Sequence, residues 1–340
     1  MADLKSIKGF HVQNIDGDPD NPIVGDLYYN TSAGAFKAVG AGGAPIGTWA
    51  SAPSLNNARS LLAAAGASNS AAMAFGGDNS GVKNLTETFN GSSWTEVSEL
   101  NNARSYLVGI GTSTAGLAVG GQPPATAGYT ESWNGASWTT KSVLSRGSAS
   151  PQASSYAMGG GTNSSAVFFG GDEGAPAVQD LCESWNGSAW SETGDLNTAR
   201  SYAAGCGSSN TSALCISGFK WTPGLANAPE VESFNGTSWT EEAEVNTARG
   251  QLVCANTGTT TDALKYTGRN APDAASSATC EHYNGTAWTE VADLGGAQKA
   301  GSGAGTSSSA LSMGGANPSV SAVVESWTAD GYQIKTVTTS

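Results

Sequence analysis

The sequence predicts an all-β fold, a six-bladed β-propeller preceded by a small β-hairpin module. The first observation is a repeated phrase: Glu-x-aromatic-Asn-Gly-x-x-Trp, then Leu-x-x-Ala-Arg, then an apolar run that ends in Gly-Gly. The second is its period, because successive tryptophans of the phrase lie 44 to 52 residues apart. A period near fifty is typical of propellers, whose blades cannot bury their faces alone. The third is composition: 46 glycines and only 13% charged residues favour short strands and tight turns over amphipathic helices.

The arginines, the glutamates and the glycine pairs each count six repeats, and the tryptophans follow the same period. The tryptophans are Trp94, Trp138, Trp190, Trp239 and Trp288, with Trp49 opening the series and Tyr332 standing in at its end. The arginines are Arg59, Arg104, Arg146, Arg200 and Arg249, with Gln298-Lys299 at the sixth position. The glutamates are Glu87, Glu131, Glu183, Glu232, Glu281 and Glu325. The glycine pairs begin at 76, 120, 170 and 314, with Ser217-Gly218 and Thr267-Gly268 as degenerate copies.

The second repeat shows the expected order of strands within a blade. Residues 106–110 form an apolar inner strand, followed by strands at 117–121 and 130–133. Asn134-Gly135 then predicts a type I′ hairpin turn, which needs φ > 0 at both residues. The fourth strand carries Trp138, whose ring is expected to cover its own blade and seal it against the next. Burial of such a tryptophan stabilises by roughly 2–3 kcal/mol.

The two ends of the chain depart from the repeat. Residues 1–45 are predicted to form an N-terminal module with strands at 24–30 and 35–39, followed by a Gly/Ala-rich linker, and residues 46–340 to form the propeller. Two segments compete for the outer edge of the sixth blade, the strand around Trp49 and the segment 332–337. We favour the Trp49 strand, because joining the two ends stabilises a ring. The 332–337 segment is then an added edge strand or a peripheral contact.

Charge and cysteine usage narrow the function classes. A net charge of −13 argues against nucleic-acid binding and against adhesion to anionic membranes. The N-terminus shows no secretory apolar region, and no run is long enough to span a bilayer. Five cysteines at no metal-ligand spacing are expected to be small buried residues, although Cys206 and Cys215 could face each other across a hairpin. The carboxylates at 16–20 read as a solvated turn, so no metal or other cofactor is expected.

The order of the repeat residues carries a resemblance to a known family. Gly76-Gly77, Glu87-Thr-Phe89, Trp94 and Leu100 to Arg104 follow one another as double glycine, aromatic, tryptophan and arginine. This pattern resembles the kelch family of β-propellers over residues 48–336, although the sixth repeat lacks the tryptophan and the arginine. The family implies a fold and no reaction, because propellers host enzymes, scaffolds and receptors alike. In kelch propellers the residue at the arginine position lies near the mouth of the central channel and sometimes contacts a ligand.

A second resemblance concerns the origin of the chain. The phrase Glu-Ser-Trp-Asn-Gly-x-x-Trp-Thr, with Ser, Thr and Gly between repeats, looks like propellers encoded by marine bacteriophages. Residues 25–31, with Gly34, Phe36 and Val39, are similar to a short module common at the start of phage tail-fibre and appendage proteins. The resemblance implies a virion component, made in the host cytoplasm, that is attached to other virion proteins through Tyr28, Tyr29 and Phe36.

Trp221 is the tryptophan that lies outside the repeat positions. It occurs in the longest insertion between a glycine pair and the following glutamate strand, beside Phe219 and Lys220. An aromatic residue on a Pro/Gly-rich loop is a candidate contact for a sugar or a protein, and a cap over the channel is the alternative. Equivalent loops carry Asp172, Glu173 and Arg269, and we expect all of them on one face of the ring.

The repeated Glu and Arg residues are expected to be architectural, paired within the blades because buried charges must be paired. An enzyme is not expected. Only His11 and His282 are available, and they build neither a Ser-His-Asp set nor a metal site. A carboxylate pair for glycoside cleavage stays open as an alternative, since glutamates abound.

The sequence therefore predicts a phage structural protein with a binding task. The N-terminal module would attach to the virion, and the propeller would bind a host-surface glycan or protein. The alternative is an architectural adaptor or cement protein that packs against other virion subunits. The sequence leaves homo-oligomerisation open.

Overall fold

A computed structural model describes residues 13–17, 27–39, 47–123, 128–145, 155–172, 178–221, 224–271, 275–329 and 334–336. These residues contain strands, turns and bends and no helix, which confirms the all-β prediction. The chain divides into two compact units: Met1–Ile46 with Asp330–Ser340, and Gly47–Ala329. The predicted site residues Arg146 and Glu173, and most of the predicted linker, lie outside the described residues.

The first unit contains one four-stranded sheet. Its strands are β1 (Gln13–Ile15), β2 (Leu27–Asn30), β3 (Ala35–Val39) and β30 (Ile334–Thr336). The predicted pair of strands forms the antiparallel hairpin β2–β3, with β1 parallel to β2 on one side and β30 antiparallel to β3 on the other. The C-terminal strand β30 thus belongs to this unit, whereas the predicted propeller extends over residues 46–340. Strands β3 and β30 are more than 290 residues apart in the chain, so no local sequence pattern could reveal that they pair.

The described residues of the second unit form six four-stranded antiparallel sheets and a small hairpin. The first sheet is β5 (Ala63–Ser68), β6 (Ala71–Phe75), β7 (Thr86–Phe89) and β8 (Trp94–Glu96). The second is β9 (Val108–Gly111), β10 (Gly116–Val119), β11 (Thr130–Trp133) and β12 (Trp138–Thr140). The third is β13 (Met158–Thr162), β14 (Ser165–Phe169), β15 (Cys182–Trp185) and β16 (Trp190–Glu192).

The remaining sheets repeat this order. The fourth sheet is β17 (Ala204–Ser209), β18 (Ser212–Ile216), β21 (Val231–Phe234) and β22 (Trp239–Glu241), and the hairpin β19 (Phe219–Trp221) and β20 (Leu225–Asn227) is inserted in it. The fifth is β23 (Val253–Cys254), β24 (Ala263–Tyr266), β25 (Cys280–Tyr283) and β26 (Trp288–Val291). The sixth is β27 (Ser302–Gly305), β28 (Ser309–Met313), β29 (Val324–Ala329) and β4 (Gly47–Ala52).

The first strands of the six sheets stand next to one another in a closed ring. Each of β5, β9, β13, β17, β23 and β27 contacts its neighbours in that order, and β27 contacts β5. Small residues on these strands make the close approach possible: a Cβ on Gly109 would overlap the carbonyl of Ala64 in the first sheet. The hydrophobic core lies between successive sheets, in six clusters of buried side chains.

The N-terminal strand β4 supplies the outer strand of the sixth sheet, as the sequence favoured. It pairs antiparallel with β29, and Trp49 lies opposite Trp327. Trp49 also contacts Tyr266 of the fifth sheet, with ring centroids 4.9 Å apart. The ring is therefore closed by strands from both ends of the second unit.

The outer tryptophans seal each sheet against the preceding one, and the prediction that they face the next blade is wrong. The ring of Trp138 packs against Phe75 of the first sheet at 4.9 Å, and its Nε1 donates to Thr86 Oγ1 of that sheet. Trp190 donates to Thr130 in the same way. The alternation of side chains along a strand puts these tryptophans on one face of their sheet. The handedness of the propeller then decides which neighbouring sheet that face contacts.

The Asn-Gly turns also differ from the prediction. Between Phe89 and Trp94, which pair across β7 and β8, the loop has four residues, and of Asn90 and Gly91 only Gly91 has positive φ (93°). Asn90 Oδ1 accepts hydrogen bonds from the backbone amides two and three residues ahead, at 2.9 and 3.0 Å. This side-chain turn replaces the type I′ turn, because asparagine binds its own backbone well.

The five cysteines are buried and free, which confirms their prediction as small core residues. Cys206 lies opposite Leu214, and Cys215 lies opposite Gly205, so the two cysteines do not face each other across their hairpin. Within the described ranges, no group of three or more His, Cys, Asp or Glu side chains could hold a metal ion. The described part of the chain also has no helix that could cross a membrane.

Candidate functional site

One end of the ring carries a collar of six residues with left-handed backbone conformation. These are Leu61, Tyr106, Tyr156, Tyr202, Gln251 and Ala300, one before each inner strand. Such φ values, here 52–57°, cost about 1 kcal/mol or more for residues with a side chain. Hydrogen bonds around the collar offset this cost. The backbone amide of Leu61 donates to the carbonyl of Ala300, and the backbone amide of Tyr106 donates to the carbonyl of Leu61. The collar therefore holds its side chains at fixed positions around the axis.

Three of the collar side chains form a tyrosine cluster, Tyr106, Tyr156 and Tyr202. Tyr156 lies between the other two, with ring centroids 4.2 Å from Tyr106 and 4.3 Å from Tyr202. All three are half-buried. Burial raises the pKa of Tyr106 to about 12 and also raises the pKa of Tyr202. The phenols of Tyr106 and Tyr202 therefore stay protonated at neutral pH, so each of these two can both donate and accept a hydrogen bond.

A second set of residues surrounds the collar, one after each glycine pair. Its members are Asp78, Gln122, Asp172, Phe219, Arg269 and Ala316, and each bridges to the strand segment just before the collar. Asp78 and Asp172 lie near the tyrosine cluster, where their negative charges help to keep the pKa values of Tyr106 and Tyr202 high. Arg269 lies on the other side, where its Nε donates to Gln251 Oε1 at 3.0 Å. The collar and this second set of residues together form the mouth of the ring. The mouth thus has an acidic side with Asp78 and Asp172 and a basic side with Arg269.

The predicted Trp221 loop is the hairpin β19–β20, which begins at this second set of residues. Trp221 is 40% exposed, and its hairpin partner Leu225 is 39% exposed. Lys220 makes an ion pair with Glu230. Phe219 is fully buried, because it packs under the Arg269 guanidinium at 4.6 Å and beside Tyr202. Phe219 supports the mouth from below, and its prediction as a ligand contact is wrong.

Of the predicted binding residues, Asp172 and Arg269 lie at the mouth, and Trp221 is exposed on the hairpin there. The tyrosine cluster was missed by the sequence analysis. A signal existed, since Tyr106 and Tyr202 both follow Arg-Ser at the same place in the repeat. The strand pattern alone does not reveal that the three tyrosine rings, which come from different sheets, contact one another.

The cavities of the channel below the mouth are smaller than the usual pocket for a drug-sized ligand. They measure about 110 and 130 Å³ and are lined by the collar and the inner strands, whereas ligand pockets usually have about 300–1,000 Å³. Asn256 of the fifth sheet crosses the inside of the ring, where its Nδ2 donates to the Gly111 carbonyl of the second sheet at 3.0 Å. Binding at this end is therefore confined to the outer surface of the mouth.

The repeated arginines are away from this surface. Arg59 and Glu87 make an ion pair of 2.6 Å, and Arg104 and Glu131 one of 2.9 Å, with all four side chains fully buried. Arg200 and Glu232 form the equivalent pair. In each pair the arginine precedes an inner strand and the glutamate lies on the third strand of the same sheet. The pair links the segment before the inner strand to the third strand of the same sheet, so these buried arginines do not contact a ligand at the mouth.

The fifth sheet carries an extra cation. Lys265 lies opposite Glu281 in the strand register and makes the closer ion pair with it, 2.6 Å, while Arg249 is 3.9 Å away. Arg249 Nη1 donates instead to Ser277 Oγ. Burial lowers the pKa of Lys265 to about 8, and the neighbouring Arg249 charge acts in the same direction.

Comparisons with known proteins agree with the architecture and go no further. No family model matches the sequence, and no curated protein is significantly similar to it. Among the matching solved structures, that of YjhT is 13% identical with a TM-score of 0.62, covering 84% of this chain and 99% of that chain. The fold is that of a β-propeller. At this identity the likeness shows the fold alone, so the function has to be argued from the chain's own residues.

The mouth is suited to binding. It presents aromatic rings, protonated phenols, an amide and charges of both signs, held on a rigid ring of strands. Tyrosine and tryptophan combine a large apolar surface with a polar group, which suits them to contact sugars and protein surfaces. The exposed hairpin with Trp221 and Leu225 extends this surface at one side.

Proposed function

We propose that this chain is a six-bladed, kelch-like β-propeller of a bacteriophage virion, a tail-fibre or appendage protein whose mouth binds a host-surface glycan or protein. The observation that carries the binding task is the aromatic surface at the mouth, composed of the half-buried tyrosine cluster and the exposed Trp221. An exposed tryptophan on a two-stranded hairpin gains little for folding, and such residues provide much of the energy of binding surfaces. The phage assignment is supported by the resemblances of the repeat and of the N-terminal hairpin.

Attachment to other virion proteins is assigned to the first unit. On one face of the β2–β3 hairpin, Tyr29 and Phe36 pair with ring centroids 5.1 Å apart, and Phe36 and Leu27 are each 45% exposed. Residues 27 and 29 share this face because side chains alternate along a strand. Tyr28 is buried, so it does not belong to the proposed contact surface. Leu27 takes its place.

The second candidate is an architectural role inside the virion. The observation in its favour is that Trp221 and Leu225 lie side by side in the hairpin, as an apolar tip that a neighbouring subunit could cover. Exposed apolar pairs of this kind occur in both receptor-binding and packing surfaces. A measurement of binding to host cells distinguishes the receptor-binding role from the architectural role.

The first prediction concerns Trp221. We expect labelled protein to bind host cells saturably, and Trp221→Ala to weaken binding at least about tenfold, the loss of one contact of about 1.4 kcal/mol. The melting temperature should change by less than about 2 °C, because surface substitutions usually change the free energy of unfolding by less than about 0.5 kcal/mol. Val143→Ala is the control, since Val143 is 45% exposed in the segment that follows β12 of the second sheet. Folded protein that binds no host cell contradicts the receptor role and favours the architectural one.

The second prediction concerns the first unit. A chain of residues 47–329 should keep the circular dichroism and melting transition of the sheets, because it retains all six, and should fail to enter virions. Both terminal segments are removed together, since β30 pairs with β3. Leu27→Asp with Phe36→Asp in the full chain tests the exposed face alone. Truncated protein found in purified particles would show that attachment resides elsewhere.

A further inference from the structure

The sixth sheet departs from the first, second, fourth and fifth sheets at one place. Before the inner strands of the first, second, fourth and fifth sheets the chain reads Leu-Asn-Asn-Ala-Arg or a close variant, starting at residues 55, 100, 196 and 245. Before the sixth it reads Leu294-Gly-Gly-Ala-Gln298. Two asparagines and the arginine are thus replaced by smaller or neutral residues within five positions.

The first sheet shows what these side chains do elsewhere. Arg59 Nη2 donates to Glu87 Oε1, and Nη1 donates to the carbonyls of Gly76 and Leu85. The asparagines at 56 and 57 cover the outer edge of the sheet by donating to the Trp94 carbonyl and to Glu96 Oε1. A guanidinium group therefore occupies a site made of one carboxylate and two carbonyl oxygens.

The sixth sheet keeps the acceptors of this site. Glu325 is only 7% exposed and corresponds to Glu87. Its oxygens accept hydrogen bonds from the amides of Gly295 (2.7 Å) and Gly296 (3.2 Å). Among the described residues, no arginine or lysine side chain lies within ion-pair distance of it. The carbonyls of Gly314 and Val323 correspond to those of Gly76 and Leu85.

A cavity occupies the position of the missing side chains. It measures about 440 Å³ and is lined by Gly295, Gly296, Gln298, Asn317, Val323 and Glu325, among others. Asn317 and Val323 are exposed, so the cavity reaches the surface. Gln298 is 9% exposed, and its Oε1 is buried without a hydrogen-bond partner. The buried Glu325 carboxylate and the buried Gln298 Oε1 can each accept further hydrogen bonds. Leaving such buried acceptors without donors lowers the stability of the fold.

We propose that this cavity binds a guanidinium group supplied from outside the chain, either an arginine side chain of a partner protein or a small guanidine. The planar fork of N–H donors fits a carboxylate flanked by carbonyl oxygens, and an ammonium group offers no such fork. In the first, second and fourth sheets, the sister sheets of the sixth, an arginine of the chain itself supplies this group, paired with the corresponding glutamate and donating to at least one backbone carbonyl. None of the residues that line this cavity belongs to the collar or to the set around it, and the proposal does not depend on the proposed function.

The test measures binding to the full-length protein by calorimetry with three blocked peptides, Gly-Arg-Gly, Gly-citrulline-Gly and Gly-Lys-Gly, and with agmatine. We expect saturable binding of the arginine peptide and binding at least about tenfold weaker for the citrulline and lysine peptides. Tighter binding of the arginine peptide than of agmatine identifies a protein arginine as the ligand, and the reverse identifies a small guanidine. Equal binding of the citrulline peptide, or no binding of any guanidine, overturns the proposal.

Two variants connect the binding to this cavity. Gln298→Arg supplies the arginine of the sister sheets, so we expect loss of guanidine binding together with a higher melting temperature. Glu325→Gln removes the carboxylate and should weaken binding at least about tenfold. Glu192→Gln, which makes the same charge change at an exposed position, should bind as the unaltered chain does. Guanidine binding that survives Gln298→Arg refutes the assignment, even if Glu325→Gln fails to fold.

Discussion

Glu131→Gln is expected to lower the free energy of unfolding by about 3–5 kcal/mol, the usual cost of removing one partner from a buried ion pair. Glu131 Oε1 accepts from Arg104 Nη2 at 2.9 Å, and its Oε2 accepts from the Asn101 amide at 2.7 Å. A glutamine has one acceptor oxygen and one NH₂ group, so one of these two donors would face another donor. Arg104 would also keep its charge in a fully buried position without a counterion.

Urea unfolding followed by tryptophan fluorescence measures this effect, with Glu99→Gln as the control. Glu99 is exposed and accepts a hydrogen bond from Asn84, so its change should cost less than about 0.5 kcal/mol. If the two variants unfold at the same urea concentration, the buried pairs do not hold the sheets together.

Trp185→Ala is the second large effect, with an expected loss of about 3–5 kcal/mol through the cavity that it leaves. Trp185 is fully buried in the cluster between the second and third sheets, 5.2 Å from Trp190, and its Nε1 donates to the Asn163 carbonyl at 2.9 Å. The melting temperature should fall by roughly 10 °C for a unit of this size.

Trp221→Ala is the matched control, because the same side chain is removed from an exposed position. Differential scanning calorimetry should show nearly unchanged melting for Trp221→Ala and a large decrease for Trp185→Ala. Equal decreases would mean that the β19–β20 hairpin is part of the cooperative core, and they would weaken the binding role given to Trp221.

The repeat made most of the fold predictable. A tryptophan, an arginine and a glutamate recur at fixed places, and each is a large or charged group whose burial requires a particular neighbour. The burial of the Arg–Glu pairs and the strand carrying Trp49 could be inferred in this way. The turn geometry was harder to predict from the sequence, because Asn-Gly fits two kinds of hairpin loop. The side-chain hydrogen bonds of Asn90 decide between the two.

The candidate sites were only partly predictable. Trp221 was recognised because it breaks the repeat, whereas the tyrosines of the collar keep the repeat and so attracted no attention. Phe219 was misassigned because its burial depends on Arg269, which lies in the next sheet. The cavity beside Glu325 was indicated by the loss of the sixth arginine, but its size depends on how the strands from both ends of the ring meet.

The sequence by itself determined the kind of strands, their grouping into repeats, and the residues that each sheet must bury, because these follow from local alternation and from a period of about fifty. The tertiary structure decided which neighbouring sheet each tryptophan meets, where β30 pairs, and which side chains surround the mouth. These features depend on contacts between residues far apart in the chain. Their geometry is set by the handedness and closure of the ring, and no single repeat contains that information.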